Sequence, residues 1–330
     1  MSGTPKLVTI FGGSGFVGRY IARRMAKEGW RVRVAVTRPN EANFVRPYGA
    51  VGQVEPIFAD IRHDLSVEGA ISGADAVVNC VGILNETSNQ KFGDIQAEGA
   101  GRIARIAAKH GVQTLVHFSA IGADKNAESE YSQTKAEGER LVKKAFKSAM
   151  IIRPSIVFGN EDQFFNRFAT LAKFSPVVPV VGGDTKFQPV FVDDLAAAAV
   201  QGVLGNAKAG VYELGGPEVA TFSDLISKLM GVIRRKRLVV NVPFFIASMK
   251  AFGFDILQKL SLGLFTNRIL TRDQVKSLKV DNVVATKANG FKALGIEATA
   301  MDSVMEEYLY RHRPYGQYTE LTETAGKLKA

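Results

Sequence analysis

Ser119, Tyr131 and Lys135 are the residues whose types and spacing point to proton chemistry. A tyrosine and a lysine four positions apart share one helix face, so the ammonium can lower the phenol pKa and also reach a ribose hydroxyl. Ser119 closes the preceding run, Thr114-Leu-Val-His-Phe-Ser119, where its hydroxyl can hydrogen-bond a carbonyl oxygen. Together the three suit general acid–base work on a carbonyl substrate. A chance Tyr-x-x-x-Lys is usually inert, so the set acquires meaning only from the elements that position it.

Those elements begin at Lys6-Leu-Val-Thr-Ile-Phe-Gly12-Gly-Ser-Gly15-Phe-Val-Gly18. A continuous apolar run is expected of a strand buried on both faces of a parallel sheet. Gly12, Gly15 and Gly18 then form a turn of spacing G-x-x-G-x-x-G, and an amphipathic helix opens with Phe16 and Val17. Such a turn brings backbone N–H groups to a pyrophosphate at a helix N-terminus. A second strand, Arg31 to Val36, follows at βαβ distance, and Thr37-Arg38-Pro39 after it holds no acid for ribose hydroxyls. Arg38 instead offers a cation to a 2′-phosphate, which favours NADP over NAD.

Gln53 to Asp60 reads as the third strand, with Asp60 and Ile61 placed to meet an adenine; Asp60 serves equally well as a helix N-cap. The fourth strand, Ala76 to Val81, ends in Val81-Gly82, where a small residue lets the loop run beside a cofactor. A helix over 97–109 leads to the strand that ends at Ser119. The sixth strand, Ala149 to Pro154, continues as Ser155 to Gly159, and Phe187 to Asp194 joins an extended piece to a helix N-capped by Asp193 or Asp194. Val211 to Gly216 is one more strand. This alternation predicts an α/β fold, a Rossmann-type doubly wound parallel sheet. Residues 1–155 form its dinucleotide-binding domain, completed by segments near 187–216. An interleaved, smaller C-terminal lobe takes 156–330.

The chain has 330 residues, one cysteine (Cys80) and four scattered histidines, His63, His110, His117 and His312. That excludes an internal disulfide and any multi-cysteine metal site, and no residue is assigned to metal. The chain enters its first strand almost directly after Met1, so no signal or transit segment is expected. No run reaches the ~20 apolar residues of a bilayer span. The net charge is +10, and 227–280 hold eleven basic side chains against Asp255 and Asp273. Within that region Phe245, Met249, Phe252, Ile256, Leu260 and Leu264 recur at steps of three or four, with Ser248, Asp255 and Lys259 opposite. A basic amphipathic stretch suits a membrane interface or a groove between partner subunits, while packing on the chain's own core is the plainer alternative. Nucleic acid is not expected, since no reading motif accompanies the charge.

The glycine turn, Tyr131 with Lys135, Arg153-Pro154 leading to Val157-Phe-Gly159, and Val190 to Asp194 resemble the extended and atypical short-chain dehydrogenase/reductase superfamily over most of the chain. Within it, four stretches are similar to the family of NADPH-binding accessory subunits of respiratory complex I and their bacterial relatives. They are Gly18-Arg-Tyr-Ile21, Arg46 to Gln53, Phe158 to Asp162 with Phe165-Asn166, and Leu270-Thr-Arg-Asp-Gln-Val275. The resemblance implies a tightly held NADPH and complex I subunits as partners. It also implies a peripheral place near the membrane and quinone region, and a structural or assembly role rather than turnover. The side would be cytoplasmic on a bacterial inner membrane, or the matrix side in mitochondria. By position, Gly12, Gly15, Phe16, Val17 and Gly18 would lie along the pyrophosphate, Arg38 at the 2′-phosphate, Asp60 and Ile61 at the adenine, and Val81 and Gly82 at the ribose. Ser119, Tyr131, Lys135 and Pro154 would surround the nicotinamide. Two alternatives remain: a freestanding NADP-dependent reductase, epimerase or dehydratase using Ser119, Tyr131 and Lys135, and an accessory protein of quinone biosynthesis.

Overall fold

Every residue of the first strand, β1 (Leu7–Phe11), is buried, because parallel neighbours flank it and helices cover both its faces. The computed structural model describes residues 5–87, 89–249, 271–319, 321, 322 and 324. After β1 come α1 (Phe16–Lys27), β2 (Arg31–Val36), β3 (Val54–Phe58), α2 (Asp64–Ile71) and β4 (Ala76–Asn79). A π-helical turn (Gly93–Glu98) then opens α3 (Gly99–Lys109), followed by β5 (Thr114–Phe118), α4 (Glu130–Ala145) and β6 (Met150–Pro154). Beyond these lie β7 (Val157–Phe158), α5 (Phe165–Phe174), β8 (Val177–Val181), β9 (Lys186–Phe187), β10 (Val190–Phe191), α6 (Val192–Val203) and β11 (Gly210–Leu214). The chain continues with β12 (Ala220–Thr221), α7 (Phe222–Val232), β13 (Leu238–Val242), α8 (Arg272–Ser277) and α9 (Asp302–Leu309).

Seven strands form one parallel sheet in the order β3-β2-β1-β4-β5-β6-β11, with Val8 of β1 between Val32 of β2 and Ala76 of β4. The order reverses between β1 and β4, and ligands of such sheets bind at the strand ends there. On one face Ile21, Ala22 and Met25 of α1 pack with Leu195 and Ala199 of α6; on the other, Val67, Ile71, Ile103, Ala107 and Val142 of α2, α3 and α4 do the same. The expected doubly wound sheet is therefore present. A third core belongs to the later segments, where the Phe164 ring lies 5.0 to 5.6 Å from those of Phe165, Phe168 and Phe222.

Three local expectations need correction. Asp193 and Asp194 stand inside the first turn of α6, whose N-cap is Phe191. Asp193 instead takes the Arg24 guanidinium at 2.8 and 2.7 Å, and Asp194 accepts from the N–H and hydroxyl of Thr299. The N-cap of α2 is His63, because Arg62 claims the Asp60 carboxylate. The sixth strand stops at Pro154. The Ser155 hydroxyl turns away to Asn282, and Val157–Phe158 pairs with β10 outside the main sheet.

Of the basic amphipathic region, Lys250, Phe252, Asp255, Ile256, Lys259, Leu260, Leu264 and Arg268 lie outside the described residues. Several cations within them are spent internally. Lys228 meets Glu218 and Asp302 at 2.9 Å, Arg235 donates to the His312 carbonyl and Arg237 to that of Ala172.

Candidate cofactor site

The turn after β1 is shaped by what its glycines lack. Gly12 sits at φ +74°, a left-handed conformation, with its N–H on the Ala35 carbonyl and its own carbonyl accepting from Gly15 N at 2.9 Å. A Cβ on Gly18 would run into the Gly12 carbonyl oxygen and stand 2.7 Å from the Gly13 Cα, so α1 can rest directly on the turn only without one. No side chain caps α1 and no acid stands in its first turn. The first-turn N–H groups, those of Phe16, Val17 and Gly18 among them, and the positive end of the dipole are left for an anion. A Cβ on Gly12 would lie 3.3 Å from Val81 N, which shows how closely the loop after β4 approaches. Asn79 Oδ1 fixes that loop by accepting from Val81 N at 3.0 Å.

Arg38, just past β2, is exposed and loosely paired with Glu41 at 3.3 Å, so its guanidinium is available to a phosphate. Arg19 is a second cation at the turn that the sequence reading passed over. It donates to the carbonyls of Ser14 and Gly15 and lies 4.7 Å from the centre of the Phe44 ring. Asp60 is buried beyond β3, and its carboxylate, gripped by Arg62 at 2.6 Å, is held below the usual carboxylate range mainly by that hydrogen bond. Ile61 is buried against Gly99 of α3. Both stand at the edge expected for an adenine, but the Asp60 carboxylate already has its partner.

The other end of the site is built by α4. Ser129 caps the helix through Ser132 N, and Tyr131 lies one turn before Lys135. The buried Lys135 Nζ donates to the Phe118 carbonyl at 3.1 Å, 5.9 Å from the centre of the Tyr131 ring. A Cβ on Gly82 would stand 3.2 Å from that ammonium, so the loops after β4 and β5 meet at Lys135. Ser119 is buried at the end of β5 with its N–H on Ile152 O, and its Oγ has no partner among the described residues. Pro154 ends β6 alongside and takes the Ile121 N–H at 3.1 Å. The structure thus links Gly12, Val81, Gly82 and Lys135 in one unbroken run of close contacts.

Burial dominates the electrostatics here. It pushes the Tyr131 phenol up to about 12 and the Lys135 ammonium down to about 8, the latter against the opposing pull of Glu139 and Cys80. Burial alone accounts for the Tyr131 shift, and in this structure Lys135 does not bring the phenol below its ordinary value. Beneath them, burial and then Lys135 bring His117 down to about 3, and the neutral ring accepts from Asn79 Nδ2 at 3.2 Å. Among the described residues no three His, Cys, Asp or Glu converge on a point where a metal could sit. The residues present fit a dinucleotide: a bare helix N-terminus at one end and an orphaned buried hydroxyl, a phenol and an ammonium at the other.

Residues 8–215 match the model of the NAD dependent epimerase/dehydratase family. The chain is 32% identical over 316 residues to the mitochondrial NADH dehydrogenase [ubiquinone] 1 alpha subcomplex subunit 9 of Arabidopsis thaliana, covering 94% of this chain and 79% of that protein. To the protein of the same name in Mus musculus it is 30% identical over 315 residues, covering 94% and 81%. Among solved structures, the NADPH-dependent quinone oxidoreductase of Escherichia coli, complexed with NADPH, superposes with a TM-score of 0.68. That match covers 92% of this chain and 98% of the other at 17% identity, a likeness of fold.

Proposed function

The chain belongs to the NAD dependent epimerase/dehydratase family, and within it to the family of the alpha subcomplex subunit 9 proteins; from that premise we propose that it is an NADPH-binding accessory subunit of respiratory complex I. One observation carries this. The family model ends at residue 215, whereas the likeness to the subunit 9 proteins runs over 94% of the chain and so takes in the lobe that follows.

NADPH, rather than NADH, is supported by Arg38 and by the lack of an acid after β2. A peripheral position at the membrane, next to the quinone region, is supported by the exposed apolar Phe174, Leu238, Phe245 and Met249 and by the exposed Lys236, all in the segments that follow the sixth strand. No helix among the described residues is long and apolar enough to cross a membrane. The surface would be the cytoplasmic one of a bacterial inner membrane, or the matrix one of a mitochondrion. In the same reading residues 1–155 hold the nucleotide and 156–330 meet the partners.

Purification from native membranes under mild detergent, with identification of the nucleotide and the companion proteins, tests the proposal. Stoichiometric NADPH together with complex I subunits is expected. A solitary protein that exchanges NADP(H) freely overturns it. The unpartnered Ser119 hydroxyl, one residue on from the carbonyl that Lys135 binds, favours a second reading, turnover as a reductase, epimerase or dehydratase. In that case Tyr131→Phe abolishes turnover with NADPH affinity nearly intact, and equal turnover in variant and parent removes the reading.

A further inference from the structure

Residues 271–282 lie across the ends of β4, β5 and β6, although 127 to 189 positions separate them from most of the residues they touch. Gln274 Nε2 donates to Asn85 in the loop after β4 at 2.7 Å. Asn282 Nδ2 donates to the Ile121 carbonyl after β5, and its Oδ1 accepts from the Ser155 hydroxyl after β6 at 2.7 Å. Between them, Asp273 meets the start of α4. Its carboxylate accepts from Ser129 Oγ at 2.8 Å, Glu130 N at 2.7 Å and Tyr131 N at 3.1 Å.

α4 is therefore capped twice. Its own Ser129 reaches only Ser132 N, at 3.4 Å. The amides of Glu130 and Tyr131, which no residue within α4 can serve, are satisfied by a carboxylate from α8, and negative charge suits that end of a helix. α8 is locally firm enough for this, since Thr271 and Gln274 form a capping box. A hydroxyl pair, Ser277 Oγ to Ser129 Oγ at 2.9 Å, fastens the same junction.

We propose that Asp273 is a positioning residue for the nicotinamide end of the cleft. By capping α4 from a distant segment it fixes the height and rotation of the helix that presents Tyr131 and Lys135. The inference rests on the reading that this cleft holds NADP(H), and it adds that residues 271–282 are a strap whose seating sets affinity for one half of the cofactor. The adenine half, built by the glycine turn and β2, does not depend on it.

The test uses the full chain and two ligands, NADPH and adenosine 2′,5′-bisphosphate, which lacks the nicotinamide half. Asp273→Ala should weaken NADPH about fivefold, the weight of one helix cap, and leave the bisphosphate unchanged. In a Lys135→Met background the same change should cost less than about twofold, because the two residues act through one helix. Equal weakening of both ligands, unaltered NADPH binding, or an undiminished loss in the Lys135→Met background overturns the proposal. Should Asp273→Ala fail to fold, bisphosphate binding disappears with it, and Asp273→Asn decides. That variant should bind the bisphosphate as the parent does while the Glu130 and Tyr131 amides exchange faster with solvent; unchanged exchange overturns the proposal. A parent chain that binds neither ligand overturns the cofactor reading itself.

Discussion

The two ends of the candidate site are made of different material. At the glycine turn, backbone and the absence of side chains do the work: Gly12 turns left-handed, Gly18 lets α1 touch the turn, and the anion-facing groups are amides that do not titrate. At the other end Ser119, Tyr131 and Lys135 arrive as side chains from the end of β5 and from α4, the first and last buried and the tyrosine half-buried, with one hydroxyl unpartnered and two ionisable groups shifted against ionisation. The first end is specified by steric exclusion and fails when an atom is added. The second is specified by pairing in a dry environment, where binding a partner relieves a penalty already present in the fold.

Adding an isopropyl group in Gly18→Val should break the contrast most severely. Overpacking against the Gly12 carbonyl costs about 3 kcal/mol in urea unfolding and at least about a hundredfold in NADPH affinity. Next comes the pH dependence set by Lys135. Its ammonium titrates near 8 when folded against an ordinary value of 10.5, so below pH 8 the full penalty stands and Lys135→Met is the more stable chain. Between pH 8 and 10.5 the unfolded chain holds a proton that the folded chain has released, and the parent gains stability relative to the variant with rising pH. The slope reaches about 1.4 kcal/mol per unit, read by denaturation across that range, and saturating NADPH should flatten it.

Arg38→Ala sharpens the comparison at the first end. Its exposed pair with Glu41 contributes less than about 1 kcal/mol, so stability should hardly move. NADPH affinity should fall about tenfold, near the value of one charge-assisted contact, while NADH affinity stays put. The smallest change is expected for Ser119→Ala. Removing an unpartnered buried hydroxyl leaves the cofactor-free chain as stable as before or up to about 1 kcal/mol more so. The same change should reduce the rise in Tm on adding NADPH.

The same division governs how much could be read from the sequence. The glycine turn, β2 and Arg38 are contiguous, and residue type and spacing carry their geometry. Helix and strand order followed from periodicity, so the sheet was legible too. Asp193 and Asp194 were misjudged as caps because their partners, Arg24 and Thr299, were chosen by packing and not by local cap preference, and Asp60 because its near neighbour Arg62 takes the carboxylate. The Tyr131 phenol was expected to fall and rises, since helical spacing reports proximity to Lys135 but says nothing about burial. The Asp273 contact went unseen although Thr271-Arg-Asp-Gln274 carries a capping-box pattern that marks a helix start; nothing in it announces a partner 142 residues away.

That separation also has a consequence in time. A ribosome adding about 5 to 20 residues per second needs on the order of 10 to 30 s to travel from Tyr131 to Asp273. Until then β1 through β6 and their helices are already outside the tunnel or entering it, and the first amides of α4 face only water. The nascent chain can assemble the glycine turn early, whereas the opposite half of the cleft is finished only when one of the last segments to be translated folds back over one of the first.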